Sequence, residues 1–343
     1  MRIFIPGVNG FIGNALVRRI IAETDWYVTG IDVDKDRLER ELLTNDRFEF
    51  HHGDMSISRE WVEFQVKRCD VVIPLAAIAI PVLYIEKPLK VFQLDFMENL
   101  HIVEHAARYE KRIIFPSTSE VYGMVGDAHF REDESNCVTG PINKHRWIYS
   151  CAKQLLDRVI HAYRYEQGLN YTLFRPFNWT GPGLDRIEQA HKIGHSRVVT
   201  KFIANIMHNE PINLVDGGEQ RRCFTYLDDG IEGMMRIIRN KDNKADGEIF
   251  NLGNPNGDLS MRELADLLIG LYAAHPRAKK FPFTAGTRVV DGKTYYGAGY
   301  QDIPMRRPSI DKARELLGWE PQTSLEDSMR QTLNWFLDLD GDK

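Results

Sequence analysis

The chain opens on the sequence RIFIPGVNGFIG, residues 2–13, and this stretch decides the fold. The apolar run Arg2–Pro6 predicts a buried strand, and the apolar residues of Ile12–Ala22 recur at the three- and four-residue steps of an amphipathic helix. Glycines at positions 7, 10 and 13 join the two elements. A tight strand-to-helix turn needs glycine, and the free N–H groups at a helix N-terminus can bind a phosphate. The spacing GxxGxxG is a moderate signal on its own, because such a turn can also be purely structural.

Strands and helices alternate through the first half of the chain. The further predicted strands are Trp26–Asp32, Arg47–His51, Asp70–Ala76, Arg112–Pro116 and Tyr171–Phe174, and the long predicted helices are Pro88–Tyr109 and Tyr149–Glu166. This alternation is typical of an α/β protein with a doubly wound parallel sheet. The pattern weakens after Asn178. We therefore expect a nucleotide-binding Rossmann domain over residues 1–178, to which a segment near 225–254 returns, and a smaller C-terminal substrate-binding lobe over residues 179–343.

The composition excludes several classes of protein. Of the 343 residues, 43% are hydrophobic and 27% are charged, which argues against disorder, collagen and a coiled coil. The net charge of −5, with no basic block, argues against a nucleic-acid partner. The longest apolar run, residues 71–83, is shorter than the ~18 residues of a membrane-spanning helix. The four scattered cysteines form no CxxC pair, so we expect a cytoplasmic protein without a disulfide scaffold.

Acidic and small residues follow the next predicted strands, where a dinucleotide would lie. Asp32 ends the second strand, nineteen residues after Gly13, where a carboxylate binds the ribose hydroxyls of NAD and repels the 2′-phosphate of NADP. Lys35 and Arg37 lie nearby and leave NADP as the weaker alternative. The residues predicted to contact NAD are Gly7, Asn9, Gly10, Phe11, Ile12, Gly13, Asp32, Asp54, Met55, Leu75, Ala76 and Ala77, together with Tyr149 and Lys153.

Tyr149 and Lys153 are four residues apart, so on a helix they share one face. A phenol has a pKa of ~10, too high for a base at neutral pH, but a neighbouring ammonium and a positive nicotinamide ring favour the phenolate. The YxxxK pair alone is a weak signal. It becomes strong because it follows a predicted strand that ends in Thr118, Ser119 and Glu120, and the hydroxyl groups of Thr118 and Ser119 would hold a substrate alcohol beside the tyrosine.

These motifs resemble those of the extended short-chain dehydrogenase/reductases, which act on nucleotide sugars. The resemblance covers nearly the whole chain. It is closest to the UDP-glucuronic acid decarboxylases of the ArnA type and to stand-alone UDP-4-keto-pentose/UDP-xylose synthases. The stretches that carry this narrower resemblance are Phe115–Gly123, Arg146–Leu156, Phe174–Gly181, Asp216–Phe224 and Tyr295–Ser309.

The resemblance implies NAD-dependent oxidative decarboxylation of UDP-glucuronic acid. Tyr149 would remove the C4 hydroxyl proton while the C4 hydride leaves for NAD, and the resulting β-keto acid would lose C6 as carbon dioxide. Glu120 and Arg306 are the residues implied for this second half, in which C5 must also be protonated. Thr118 and Ser119 would bind the sugar. The product is UDP-4-keto-pentose, or UDP-xylose if the ketone is reduced again.

The same resemblance implies further substrate contacts and a homodimer. The residues carried over as contacts to UDP and the sugar are Ala79, Tyr84, Asn178, Arg197, Asn213, Arg222 and Tyr300. Asn213 stands where the ArnA-type domain has lysine, which puts a charged contact at that position in doubt. In extended dehydrogenases the helices corresponding to residues 88–109 and 149–166 form a four-helix dimer interface, so a homodimer is expected.

Three other functions stay open at this point. A UDP-sugar 4-epimerase would share the NAD site, Tyr149 and Lys153, but would not need the loop around Arg306. A UDP-apiose/xylose synthase has cysteines where this chain has Ser119 and Ala79, so it is disfavoured. A non-catalytic NAD-binding sensor would not need the tyrosine–lysine pair. No metal is expected, because the histidine pairs at 101/105 and 191/195 lack a third ligand in the sequence.

Overall fold

The computed structural model of the protein describes residues 1–190, 195–297 and 299–341, and its centre is a seven-stranded parallel sheet. Its strands are β1 Arg2–Pro6, β2 Tyr27–Asp32, β3 Phe48–His52, β4 Val71–Val72, β5 Arg112–Pro116, β6 Tyr171–Pro176 and β7 Ile249–Leu252. They lie in the order β7-β6-β5-β4-β1-β2-β3, with every neighbouring pair parallel. The order reverses at β1 and β4, which confirms the predicted doubly wound topology.

Helices cover both faces of this sheet, and an apolar layer fills each space between sheet and helices. On one face, Phe11–Glu23 packs beside Leu227–Arg239. On the other face, Arg59–Arg68, Asn99–Arg108 and Trp147–Gln167 pack together. Because the strands are parallel, their carboxyl ends lie along one edge, which is where ligands bind in sheets of this type.

A smaller cluster of elements follows β6. The helices Val198–Met207, Met261–Ala274 and Leu325–Gly341 share its apolar core. Its strand Arg221–Cys223 pairs with Asp258–Ser260 on one side and with Met305–Arg306 on the other. The remaining short ladders join Ile212–Val215 to Thr287–Val290 and Trp179–Thr180 to Thr225–Tyr226. The remaining α-helices of the described residues are Arg40–Leu43, Pro81–Glu86, Pro88–Phe92, Gly292–Tyr296 and Asp311–Leu317.

Two strands of the central sheet differ from the sequence-based prediction by more than two residues. We expected a strand over Asp70–Ala76, but the ladder contains only Val71–Val72. Pro74 has no N–H group to donate, so the ladder ends early, although the N–H groups of Ile73 and Leu75 still donate to carbonyls of β1. The second difference is β7, a four-residue strand with no sequence prediction of its own, which brings the chain back to pair with β6.

The predicted helix Pro88–Tyr109 is interrupted. It consists of Pro88–Phe92, a π-helical turn at Gln93–Glu98, and Asn99–Arg108. Within the π turn, Asp95 is fully buried, and its Oδ2 accepts a hydrogen bond of 3.1 Å from the backbone N–H of Ile78. Single π turns inside helices occur frequently at functional sites.

The described part of the chain contains neither a membrane-spanning helix nor a metal-binding cluster. None of its helices has both the length and the apolar character needed to cross a lipid bilayer. No three of its His, Cys, Asp and Glu side chains come together as a metal-binding group. His101 and His105 lie on the Asn99–Arg108 helix, whereas His191 lies outside the described residues.

Candidate active site

A cavity of about 420 Å³ lies at the carboxyl edge of the sheet, between the strand ends and the smaller cluster of elements. The predicted site residues in its lining are Gly7, Gly10, Phe11, Ile12, Gly13, Leu75, Ala77, Ala79, Tyr84, Thr118, Ser119, Glu120, Tyr149, Lys153, Asn178, Arg197, Asn213, Arg222, Tyr300 and Arg306. The predicted residues outside its lining are Asn9, Asp32, Asp54, Met55 and Ala76, of which Asp32 and Asp54 are the ones predicted to contact the adenosine half of NAD.

The glycine turn after β1 leaves no room for a side chain at Gly7 or at Gly13. Gly7 has a φ of +85°, and a Cβ built on it would lie 2.4 Å from the backbone nitrogen of Ala76. A Cβ on Gly13 would lie 2.5 Å from the carbonyl oxygen of Gly7. The helix Phe11–Glu23 begins in this turn and has no acidic residue in its first turn, so its N–H groups face the cavity without a competing carboxylate. This geometry fits the pyrophosphate of a dinucleotide.

Asp32 lies at the carboxyl end of β2, directly behind the glycine turn. Its Oδ2 accepts a hydrogen bond of 2.9 Å from the N–H of Asn9. Burial raises the pKa of Asp32, and hydrogen bonds from backbone N–H groups oppose that rise. Asp54 has a local structural role as well, since its Oδ1 accepts bonds from the N–H and the hydroxyl of Ser56 at 2.8 and 2.7 Å. The adenosine half of the predicted site therefore has its acceptors held in place by neighbouring backbone.

Tyr149 lies deep in the cavity, with its ring stacked on that of Tyr84 at 4.6 Å. Burial and the carboxylates of Asp95 and Glu120 raise the pKa of Tyr149 above its usual value, and a hydrogen bond with Thr118 opposes this. Lys153 Nζ donates to the carbonyl of Pro116 at 3.1 Å. Burial is the largest cause of this rise in the pKa of Tyr149, and the ammonium of Lys153, turned toward β5, does not offset it. The sequence-based expectation of a lower phenol pKa includes the positive nicotinamide ring and stays a prediction.

Lys153 is buried close to two carboxylates. Its side chain is 1% exposed, and its Nζ is 3.9 Å from Oδ1 of the buried Asp95. Burial lowers the pKa of Lys153, and the carboxylates of Asp95 and Asp157 oppose that change. Burial raises the pKa of Asp95 to about 6. The lysine thus lies between two buried carboxylates that the sequence did not indicate.

Glu120 is enclosed by arginines. Its Oε2 accepts a hydrogen bond of 2.8 Å from Arg146, and its Oε1 accepts one of 3.3 Å from Arg306. Burial alone would raise the pKa of Glu120, but the charges of Arg146, Arg306 and Arg222 bring it below its usual value. Glu120 is therefore ionised at neutral pH despite its burial.

Arg306 reaches this site from a short strand far along the chain. The strand Met305–Arg306 pairs with Arg221–Cys223 in a register that sets Arg306 opposite Arg222. Arg306 also donates to the hydroxyl of Ser119 and to Oδ1 of Asn178, both at 3.4 Å. Burial, with Arg222 nearby, lowers the pKa of Arg306 to about 10, so the guanidinium stays charged at neutral pH. Its Nε has no hydrogen-bond partner among the described residues.

The predicted contacts for UDP line the same cavity. Arg197 donates to the carbonyl of Leu184 at 2.9 Å and lies over the ring of Phe11. Asn213 Oδ1 accepts a bond of 2.6 Å from Arg288. Tyr300 stacks on Tyr296 at 4.3 Å, which adds an aromatic pair to the lining.

Sequence reasoning missed several residues of the site. They are Asp95, Arg146, Tyr296 and Asp302, of which all but Asp95 line the cavity. The available signals were a carboxylate between the apolar residues Leu94 and Phe96 for Asp95, and an arginine three residues before Tyr149 for Arg146. Neither signal identifies a partner, because each partner comes from a distant element.

The doubly wound fold, the glycine turn and the Tyr149/Lys153 pair define an extended short-chain dehydrogenase/reductase. The chain belongs to the NAD dependent epimerase/dehydratase family, whose model matches residues 3–253. NAD is accordingly its cofactor, in agreement with the sequence-based prediction.

Solved structures resemble the whole chain. The PbgP3 protein from Burkholderia pseudomallei is 46% identical, with a TM-score of 0.87 over 99% of this chain and 97% of that one. UDP-glucuronic acid 4-epimerase from Bacillus cereus, in complex with UDP-glucuronic acid and NAD, is 21% identical, with a TM-score of 0.80 over 99% of this chain and 100% of that one. UDP-glucose 4-epimerase from Thermotoga maritima, with UDP-glucose, is 24% identical, with a TM-score of 0.80 over 99% of both chains. At these identities, the likeness to the two epimerases shows the fold of this chain and nothing further.

Proposed function

We propose that the protein catalyses the NAD-dependent oxidative decarboxylation of UDP-glucuronic acid. The observation that carries this proposal is the buried, charged Arg306, which contacts Ser119 and Glu120 in the cavity that also contains Tyr149. A buried guanidinium needs anionic partners, and a planar carboxylate is the group that it binds bidentately. A neutral sugar would offer no such partner.

The chain's own residues account for the first half of the reaction. Thr118 and Tyr149 would bind the C4 hydroxyl, and the phenolate oxygen of Tyr149 would take its proton. Bound NAD supplies the hydride acceptor and the positive ring that favours the phenolate. Since burial and the surrounding carboxylates raise the pKa of Tyr149, that positive charge and Lys153 have to outweigh both effects when cofactor and substrate are in place.

The second half follows from the chemistry of a β-keto acid. The C5–C6 bond breaks, carbon dioxide leaves, and the electron pair of that bond moves to the C4 carbonyl oxygen to give an enolate. Arg306 would hold the carboxylate in position before it leaves, and Ser119 would bind the sugar. C5 then needs a proton. Glu120 is ionised in the free protein, so it would deliver a proton only after taking one up from solvent, and Arg306 is the other candidate donor. The product is UDP-4-keto-pentose, which is either released or reduced again to UDP-xylose.

A homodimer through the helices at residues 88–109 and 149–166 is part of this proposal. Apolar side chains remain outside on these helices, among them Leu89 at 80% exposure and Leu155 at 48%. Trp147–Gln167 also contains Tyr149 and Lys153, so pairing of these helices would fix the element that holds the catalytic residues.

Neighbouring arginines provide the test of this function. We expect Arg306→Met to reduce release of labelled carbon dioxide from UDP-glucuronic acid carrying ¹³C at C6 by roughly 10²-fold or more, since a preorganised charge at the reacting group is lost. Arg307→Met is the matched control, because Arg307 points away and donates to the carbonyl of Pro255. Equal activity in the two variants would overturn the assignment of Arg306.

A UDP-sugar 4-epimerase is the second candidate. It would use the same glycine turn, Tyr149 and Lys153, which line the cavity. Epimerisation keeps the carboxylate, so a wild-type enzyme that forms UDP-galacturonic acid without releasing carbon dioxide would select it.

A further inference from the structure

Arg146 occupies a position for which the proposed reaction has so far given no reason. It immediately precedes the helix Trp147–Gln167, its side chain is 6% exposed, and its guanidinium lies 4.8 Å above the ring of Trp147. Its Nη2 donates to Glu120 at 2.8 Å, which is shorter than the 3.3 Å contact between Arg306 and the other oxygen of the same carboxylate. Glu120 therefore has one short and one long ion pair.

The charges around Glu120 do not cancel. The groups that face it are the guanidinium groups of Arg146, Arg222 and Arg306 and the carboxylate of Asp302, with the phenols of Tyr84 and Tyr149 nearby. Three cations and two carboxylates leave a net charge of +1, which matches one additional carboxylate. Asp302 is already paired with Arg222, so Arg146 and Arg306 share Glu120.

We propose that Arg146 is a positioning residue that holds Glu120 as its permanent counter-ion and thereby frees Arg306 to bind the carboxylate of the substrate. This inference rests on the proposed function, because it needs an acidic sugar in the cavity. When that carboxylate enters, Arg306 gives up its long contact with Glu120, and Glu120 stays paired through the short contact. No buried charge is left without a partner during the exchange, which matters because an unpaired buried charge is strongly destabilising.

The proposal predicts an unusual pH dependence in Arg146→Met. Without Arg146, Arg306 stays in its ion pair with Glu120 at neutral pH and is not free to bind the substrate carboxylate. The dissociation constant of UDP-glucuronic acid from the enzyme–NAD complex therefore rises about 100-fold. Loss of the cation also raises the pKa of Glu120, by at least about one pH unit. As the pH falls through that higher pKa, Glu120 becomes neutral and releases Arg306, and the affinity recovers.

The experiment is calorimetric titration of the enzyme–NAD complex with UDP-glucuronic acid and with UDP-xylose, whose sugar has no carboxylate, from neutral to mildly acidic pH. We expect Arg146→Met to weaken only the acidic ligand, with recovery at low pH, and Arg146→Lys to stay close to the wild type. Arg330→Met, which breaks an exposed Arg–Glu pair in the C-terminal helix, is the control for the same change of side chain. It should match the wild type with both ligands.

Each other outcome has a defined meaning. An unchanged affinity for UDP-glucuronic acid in Arg146→Met, a loss that is the same at every pH, or an equal loss for both ligands would overturn the role of Arg146. A wild-type enzyme that shows the predicted binding pattern but releases no carbon dioxide would instead overturn the decarboxylase proposal and leave the role of Arg146 standing.

Discussion

Tyr149 lies in a cavity that Glu120 also lines, and its ring stacks on that of Tyr84. The YxxxK spacing locates it on a helix face with Lys153, and both line the cavity. The spacing says nothing of Asp95 or Glu120, whose carboxylates raise the pKa of the phenol. These groups come from a π turn and from the end of β5, so only the folded chain brings them together.

We expect Tyr149→Phe to lower the turnover number about 10³-fold, because the general base is removed while the ring that stacks on Tyr84 remains. NAD binding and the melting temperature should stay close to those of the wild type, as measured by cofactor fluorescence and thermal unfolding. Turnover within a few-fold of the wild type would show that another group takes the C4 proton.

At the scale of elements, helices and strands formed by consecutive residues were predictable, whereas strands that form only by pairing with a distant segment were not. The β1 strand, the glycine turn and the helix after it follow from consecutive residues, and β1 has the predicted bounds Arg2–Pro6. By contrast, Met305–Arg306 is a strand only because it pairs with Arg221–Cys223, more than eighty residues earlier. Strands this short show no clear alternation of apolar and polar residues in the sequence. For the same reason β7 had no sequence prediction of its own. The division into domains near residue 178 stays a prediction.

The glycine turn gives the prediction at this scale. Gly7→Ala should weaken NAD binding and lower the free energy of unfolding by at least about 1–3 kcal/mol, because a side chain at a φ of +85° is strained and its Cβ would collide with Ala76. The checks are cofactor titration and denaturant unfolding.

Gly270→Ala is the matched control, since a Cβ at that helical position would meet no described atom within 4 Å. That substitution should stabilise the protein by about 0.5–1 kcal/mol and leave NAD binding unchanged. If both glycine variants bound NAD as the wild type does, the turn would not be the phosphate site.

For the whole molecule, the fold class and family follow from the sequence, whereas the arrangement of charge in the cavity does not. The motifs at residues 7–13 and 149–153 each come from one local segment. The cluster around Glu120 combines Arg146 with Arg306, residues that are far apart in the chain. Its net positive charge depends on which arginine faces which carboxylate, and that depends on the complete packing.

The proposed homodimer gives the prediction at this scale. Leu155→Glu adds a charge to an apolar side chain that is 48% exposed on the helix Trp147–Gln167. We expect it to shift the mass measured by light scattering after size-exclusion chromatography from dimer to monomer, because burying an unpaired carboxylate is costly. Phe281→Glu, at a similarly exposed position in the smaller cluster of elements, should leave the dimer intact. A wild-type monomer would refute the dimer outright.

The most direct test of the central claim is to incubate the wild-type protein with UDP-glucuronic acid and NAD, to follow NADH absorbance, and to identify the sugar product by proton NMR. We predict loss of carbon dioxide, with UDP-4-keto-pentose and an equal amount of NADH, or with UDP-xylose and little net NADH if the ketone is reduced before release. UDP-galacturonic acid with no carbon dioxide would contradict the claim and identify an epimerase.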